Sequence, residues 1–447
     1  KVPVLNIVGD HATYHTQFDA QLQSDIETVA RNVSPGFVRT STSTAELCRD
    51  AVDAIAAARG YPGQVATLIL PADVSWGEGG VACPPPPAPS PAVADDACVS
   101  AIAEVIRSGR KAALLLGGRA LRETDLLAAA RIAEHSGIKL LAEVFPTRLQ
   151  RGAGLPAVER IAYMAEMAGV QLAEIEELIL VDAKAPVSFF AYPGKKSYLV
   201  PDGCNVLTLA TPEQNTTASL DKLAAALGAG HLQPKLQAAQ RPGRPRGRLT
   251  AAKVCKAVGH LMPENAILVD EAITSGLMLS AMTTGAPRHD LITLTGGAIG
   301  QGLPSAIGAA IACPERPVLA LIGDGSSMYT IQSLWTMARE QLNVTSIIFN
   351  NASYSVLNIE LERVGAEHAG PKAKSQLDLR SPVLNFAQLA QGMGVHAVRV
   401  TSAEDLVKAM EYAFAQPGPH LIEAVVPESL SGVKRKLLTW LRRALPH

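Results

Sequence analysis

Short apolar runs separated by longer alanine-rich, amphipathic stretches dominate this chain, and their spacing predicts alternating strands and helices. Residues 65–71 (Val-Ala-Thr-Leu-Ile-Leu-Pro) form a continuous β-prone run preceded by helical sequence over 51–59. The alternation recurs with strands predicted at 112–116, 139–142, 177–182 and 206–209 and a helix over 123–136. It appears again with buried strands at 267–270, 318–322, 344–349 and 420–426. Strands this uniformly apolar, joined by helical crossovers, imply parallel sheets covered on both faces. The opening Lys1-Val2-Pro3-Val4-Leu5-Asn6-Ile7-Val8-Gly9 reads as a further buried strand running into a turn glycine. The expected fold class is therefore α/β throughout, with no repeat of solenoid period.

Two proline-rich breaks divide the pattern. Cys83-Pro84-Pro85-Pro86-Pro87-Ala88-Pro89-Ser90-Pro91 cannot form helix or central strand and predicts a stiff extended spacer. Arg241-Pro242-Gly243-Arg244-Pro245-Arg246-Gly247-Arg248 places four arginines in eight residues, but beside Pro and Gly it reads as a solvated linker rather than a phosphate patch. The expected organisation is residues 1–82, 95–230 and 249–430 as three segments, in keeping with a chain of 447 residues, followed by a tail at 431–447.

Composition narrows the function. Forty Lys and Arg against 41 Asp and Glu leave a net charge of -1, so no global basic field exists to hold nucleic acid or an anionic membrane. With 48% hydrophobic and 18% charged residues, and every apolar run interrupted short of membrane-spanning length, the chain reads as soluble and globular. Cys48, Cys83, Cys98, Cys204, Cys255 and Cys313 are scattered, without a C-x-x-C pair or histidines at metal-ligand spacing. They read as reduced, mostly buried thiols of a cytoplasmic protein, and no charged-then-apolar leader opens the chain.

The chemistry concentrates after the 318–322 strand, in Gly323-Asp324-Gly325-Ser326-Ser327. In open parallel sheets ligands bind beyond the carboxyl ends of strands, and two glycines let a bulky anion approach the backbone. A helix expected over 329–340, with Ile331, Leu334, Trp335 and Ala338 on one face, would direct its N-terminus at a phosphate there. A carboxylate beside a phosphate calls for a divalent cation between them. Asn350-Asn351 ends the strand at 344–349, and the 27 positions from Asp324 to Asn351 suffice for one right-handed crossover that sets both side chains at adjacent strand ends. Six oxygens around Mg²⁺ would then come from Asp324, the Asn351 amide, a following backbone carbonyl, two diphosphate oxygens and water. Either motif alone would be an ordinary turn or strand end; the pair at this spacing is not.

The run Ile322-Gly323-Asp324-Gly325-Ser326-Ser327-Met328-Tyr329-Thr330-Ile331-Gln332-Ser333-Leu334-Trp335, with Asn350-Asn351-Ala352-Ser353-Tyr354, resembles the thiamine-diphosphate-dependent 2-oxo acid enzymes. Benzoylformate decarboxylases are similar across these motifs and acetolactate synthase large subunits over the whole length of the chain. The resemblance implies a three-domain fold, each domain a parallel sheet flanked by helices, with residues 1–82 the later part of a pyrimidine-binding domain, 95–230 a central domain and 249–430 a diphosphate-binding domain. It implies thiamine diphosphate and Mg²⁺, with Asp324, Asn351 and the Ser353 carbonyl as metal ligands. Gly323, Gly325, Ser326, Ser327 and Tyr354 would contact the cofactor. Ile299, in Thr293-Leu294-Thr295-Gly296-Gly297-Ala298-Ile299-Gly300, would be the apolar wedge that bends it, and Thr274 and Ser275 would donate hydroxyls from a second diphosphate loop. The wedge has a physical rationale, since a rigid β-branched side chain can hold a strained conformer.

The activating glutamate of the family belongs to sequence preceding Lys1 and is expected to be absent from this chain. Segment 185–194 lacks the histidine of benzoylformate decarboxylases, and Glu360 stands where those enzymes place a pocket aromatic, which argues against aromatic substrates. Glu360 could equally be a solvated helix position. No flavin motif is found, so FAD is not expected. The implied reaction is decarboxylation of a small-molecule 2-oxo acid with carboligation of the acetolactate synthase kind; simple decarboxylation, or a non-catalytic cofactor-binding homologue, are the alternatives. A homodimer or homotetramer is implied. In the tail, Leu437, Leu441 and Leu445 recur at helical spacing beside five basic residues, which fits either a terminal helix on its own domain or a weak membrane-surface contact.

Overall fold

The computed structural model describes residues 1–87, 89–366 and 368–428; the amphipathic tail expected at 431–447 lies outside them. The chain divides into two compact units, the first comprising residues 1–95 and 210–219 and the second the rest. The architecture is α/β with three sheets.

In the first unit Val4–Asp10 (β1), Val38–Thr40 (β2) and Val65–Pro71 (β3) form a parallel sheet in the order β1-β3-β2. The helix Leu47–Arg59 buries Ala54 and Ala58, while Leu68 and Ile69 of β3 lie in the core. The expectation of a buried first strand is corrected: β1 is an edge strand, with Ile7 64% exposed. Having β3 as its one strand neighbour, it leaves its outward side chains in solvent.

The second unit holds two sheets. Ala112–Leu116 (β4), Lys139–Ala142 (β5), Leu149–Arg151 (β6), Glu159–Arg160 (β7), Glu177–Val181 (β8) and Asn205–Ala210 (β9) precede Ile267–Glu271 (β10), His289–Ile292 (β11), Val318–Gly323 (β12), Val344–Asn350 (β13), His396–Val400 (β14) and His420–Val425 (β15). The central sheet runs β7-β5-β4-β8-β9 around Ala113, Leu115, Leu141, Leu178 and Leu180. The third runs β14-β15-β13-β12-β10-β11-β6, with Val269, Ala320, Ile322, Leu334 and Ile348 in its core. Its pairings are parallel except that of β6 with β11, where Leu149 faces Leu291 and Arg151 faces His289. Chain continuity alone would assign β6 to the central sheet. Instead Asp290 draws it across: Arg148 grips the carboxylate through Nε at 2.6 Å and Nη2 at 3.1 Å, and Arg316 Nη2 adds a contact at 2.7 Å.

Three further expectations shift. The helix at 329–340 contracts to Ser333–Arg339, with Leu334 and Met337 buried, and Trp335 is 53% exposed beneath the Arg339 guanidinium. Arg241 donates to the carbonyls of His260 and Met262, and Arg244 pairs with Glu411, so the arginine-rich stretch, exposed at all four arginines, is anchored through two of them. Of the six free thiols only Cys255 is buried; the other five are half-buried.

Burial alone would raise the Asp290 carboxyl, but Arg148 and Arg316 hold it below its ordinary value. A carboxyl depressed in the folded state contributes stability that is fully present above the unfolded titration near pH ~4 and is lost as pH falls through the lower folded value. Asp290→Asn is expected to cost about 2 kcal/mol at pH 7, from charged hydrogen bonds lost. The gap to wild type should narrow on acidification, which urea titrations at pH 7 and pH 3 measure; a gap independent of pH would contradict the account.

Candidate active site

β12 and β13 pair in parallel with Gly323 opposite Phe349, so both strands end at the same level of the sheet. Asp324 opens a single helical turn, Asp324–Ser327, and is 4% exposed. Its Oδ1 accepts the Gly325 amide at 2.8 Å, while Oδ2 accepts the Asn351 amide at 3.0 Å and the Ala352 amide at 2.6 Å. Burial pushes the carboxyl up to about 6 despite these donors. The loop it holds is bent sharply: Ala352 lies at φ 54°, a left-handed conformation unusual for a residue with a Cβ. Asn351 Oδ1 accepts the Ser353 amide at 2.9 Å, and Ser353 is buried. The crossover thus brings Asp324, Asn351 and Ser353 together at neighbouring strand ends.

Two buried acids that the sequence reading gave no role hold the surrounding backbone. Glu271, at the end of β10 and 1% exposed, accepts the amide of Gly300 at 2.5 Å and that of Gly302. Thr330 Oγ1 donates to the Gly300 carbonyl at 2.8 Å, so the turn beside half-buried Ile299 is fixed from two sides. Gly300 is required there, because φ is 97° and a Cβ would come within 2.7 Å of Tyr329 Cβ. Glu423, with no exposed surface, accepts from Asn350 Nδ2 at 2.7 Å and from the Ala387 amide at 3.0 Å. Glu423 is signalled in sequence by an acid inside an otherwise apolar strand, and Glu271 only by the second of two acids that end one.

Thr274 and buried Ser275 sit in the turn Ile273–Gly276 that follows β10. Ile273 has φ 50°, a costly conformation for a β-branched residue. Ser326 is buried at the Asp324 turn, whereas the Ser327 hydroxyl donates to the Asp324 carbonyl at 2.7 Å and closes the turn itself. Tyr354 packs its ring on Gly325, where a Cβ would meet Tyr354 Cε1 at 2.2 Å. A Cβ at Gly323 would meet nothing closer than 3.6 Å. Packing within the chain therefore leaves room beside the Gly323 backbone for a ligand to approach.

The 185–194 segment reaches the same region. Phe189 lies over Gly297, within 2.2 Å of where a Cβ would be, and forms ring contacts with Phe145, Tyr163 and Phe190. Glu360 is not a solvated helix position: Arg363 joins it at 3.1 Å and Glu166 at 3.1 Å, with the Arg363 side chain only 6% exposed. The guanidinium stacks 3.8 Å from the Tyr192 ring centre, and Tyr163 donates to Glu360 at 3.4 Å.

Among the described residues no group of three His, Cys, Asp or Glu could hold a metal ion. One carboxylate, one amide oxygen and one carbonyl instead suit a hard cation that takes its remaining oxygens from a bound diphosphate. The residues present fit that pairing of cation and diphosphate.

Residues 275–424 match the family model for the thiamine pyrophosphate enzyme C-terminal TPP binding domain. The chain is 52% identical over 428 residues, 96% of its length and 82% of the relative's, to a Mycobacterium tuberculosis protein named "Putative acetolactate synthase large subunit IlvX". The chain belongs to the thiamine-diphosphate-dependent 2-oxo acid enzyme family. A benzoylformate decarboxylase from Pseudomonas aeruginosa is 32% identical over 177 residues, 40% of this chain and 32% of that protein. The fold is shared with the Rhodococcus jostii RHA1 thiamine diphosphate-dependent 4-hydroxybenzoylformate decarboxylase at TM-score 0.80 and 22% identity, covering 95% of this chain and 82% of that one. The Polynucleobacter necessarius benzoylformate decarboxylase shares it at TM-score 0.76 and 19% identity, with the same coverage.

Glu271 is expected to hold the Ile299–Gly302 turn in place. In Glu271→Ala, amide exchange at Gly300 and Gly302 should accelerate by about tenfold or more, as loss of roughly 1.4 kcal/mol implies, while the β12 amides stay protected. Hydrogen–deuterium exchange with peptide-level readout checks this; unchanged exchange at both glycines would remove the role.

Proposed function

We propose that this chain catalyses decarboxylation of a 2-oxo acid, dependent on thiamine diphosphate and Mg²⁺, followed by carboligation of the acetolactate synthase kind. The observation that carries this reading is the meeting of Asp324 with the Asn351–Ser353 loop at adjacent strand ends. Carboligation rests on the relative 52% identical across 96% of the chain. The Asp324 carboxylate, the Asn351 amide oxygen and the Ser353 carbonyl would hold the cation. Gly323 would leave space for the diphosphate, the Gly325 backbone would contact it, and Thr274, Ser275, Ser326 and Ser327 would line it. Ile299 would wedge the cofactor from below, and Tyr354 would brace the Gly325 backbone. When bound, thiamine diphosphate would supply the nucleophilic carbon and the electron sink that loss of CO₂ requires.

Simple decarboxylation of the benzoylformate type is the second reading, supported by the 177-residue match. Against an aromatic substrate stands the Glu360–Arg363–Glu166 cluster, charged where that enzyme type places an aromatic. We also place the protein in the cytoplasm as a homodimer or homotetramer, a state that sedimentation velocity would test. CO₂ release from a panel of aliphatic and aromatic 2-oxo acids, with product identification, separates the readings: acetohydroxy acids support ligation, and aldehydes alone overturn it.

Metal and cofactor binding should stand or fall together. Asp324→Ala is expected to weaken thiamine diphosphate binding in the presence of Mg²⁺ by about 100-fold or more with unchanged circular dichroism, because Asp324 supplies the carboxylate of the proposed cation site. Calorimetric titration that shows wild-type affinity would remove the assignment. Since protons compete with the cation for a carboxyl that burial pushes up to about 6, Mg²⁺ affinity of the wild-type protein should hold steady above that pH and fall as pH drops below it.

A further inference from the structure

The cysteines of the first unit form an arrangement that the cofactor site does not use. Cys48 occupies the first turn of the helix Leu47–Arg59. Cys83, 35 positions later, stands at the start of the proline-rich segment, with its Sγ 3.1 Å from Cys48 Sγ. The Cys83 backbone amide also donates to Cys48 Sγ at 3.2 Å. Both sulfurs are half-buried, so a small oxidant can reach them. A disulfide places the sulfurs about 2 Å apart, so roughly 1 Å of movement would join them.

We infer that Cys48 and Cys83 are a peroxide-reactive thiol pair, Cys48 the attacked sulfur and Cys83 the resolving one, whose oxidation ties the proline-rich segment to the first turn of the helix. The Cys48 thiolate attacks one oxygen of a hydroperoxide; the O–O bond breaks, the sulfur becomes a sulfenic acid, and the departing oxide takes a proton to leave as water or alcohol. Cys83 then gives up its proton and attacks the Cys48 sulfur. The S–S bond forms, the S–O bond breaks, and water leaves, so two thiols are oxidised by two electrons and one peroxide is reduced.

The electrostatics agree with this division of roles. The thiol and amide of Cys83, with Arg49 adding its charge, hold the Cys48 thiol below its ordinary value, whereas the contact with Cys48 pushes the Cys83 thiol up. Elsewhere burial pushes Cys255 up to about 12 and raises Cys204, which leaves those sulfurs protonated and slow.

The test treats the full chain, purified under reduction, with hydrogen peroxide at an equivalent or two, then alkylates and digests it. Cleavage at aspartate as well as at lysine and arginine puts Cys83 and Cys98 on separate peptides, since Asp95 and Asp96 lie between them. The expected result is loss of two of the six titratable thiols, a Cys48–Cys83 cross-linked peptide, and full recovery with dithiothreitol. Cys83→Ser should instead accumulate a Cys48 sulfenic acid that dimedone traps, and Cys48→Ser should lose no thiol at that dose. Two outcomes overturn the inference: Cys48 and Cys83 both recovered in alkylated form after treatment, or Cys48 cross-linked to a different cysteine. Neither readout depends on cofactor or turnover, so the result is independent of the proposed activity.

Discussion

The site depends on one hydrogen-bonded carboxylate. Asp324 sits at the end of β12 and takes the amides of Asn351 and Ala352 from the end of β13, so the loop beyond one strand is shaped by a side chain from its neighbour. Those two amides belong to a loop bent through a left-handed residue, and the Ala352 amide also reaches Asn350 Oδ1 at 3.2 Å, so the carboxylate is their shared acceptor. Satisfying them gives the bend a reason to persist. It also leaves a buried negative charge, which is why the carboxyl is raised and why a cation at the same place would relieve it.

The same device recurs on either side. Glu271 at the end of β10 takes the amides of Gly300 and Gly302, and Glu423 within β15 takes the Asn350 side chain and the Ala387 amide. Two acids at strand ends, Asp324 and Glu271, thus fix irregular backbone segments, and Glu423 ties the end of β13 to the first turn of helix Phe386–Gly392. The parallel register sets the acids relative to one another. Rigidity in this region comes from strands, and the loops inherit it through charged acceptors bonded to neutral amides.

Much of this was legible in the sequence where a feature is local or bounded by chain length. The apolar runs over 112–116, 318–322 and 344–349 became buried strands because such runs have few other ways to satisfy their burial. The pairing of Asp324 with Asn351 followed from the length of one crossover. What escaped was decided at a distance. β6 joins the third sheet because Asp290, far along the chain, binds Arg148. Trp335 faces solvent because the buried side of the helix centres on Leu334 and Met337, and Trp335 stands about 100° round from Leu334. β1 is apolar in sequence yet stands at an edge, and periodicity carries no information about how many neighbours a strand has.

The charged cluster at Glu360 shows how such distant choices constrain what the region can become. Arg363 lies between Glu360 and Glu166, Lys195 approaches Glu166 at 3.9 Å, and Tyr163 and Tyr192 close around them. Two cations and two anions balance, so the cluster is neutral as a whole although each member is partly or wholly desolvated. Replacing Glu360 alone by an aromatic would strand Arg363 with an excess of positive charge, and replacing Arg363 alone would leave two carboxylates facing one lysine; breaking a buried pair from one side costs about 3–5 kcal/mol. A path to an aromatic wall therefore has to alter helix Ala165–Leu172 and helix Ser355–Arg363 together. The side chain at position 360 is set by its partners in the central sheet's helix as firmly as by any ligand it faces.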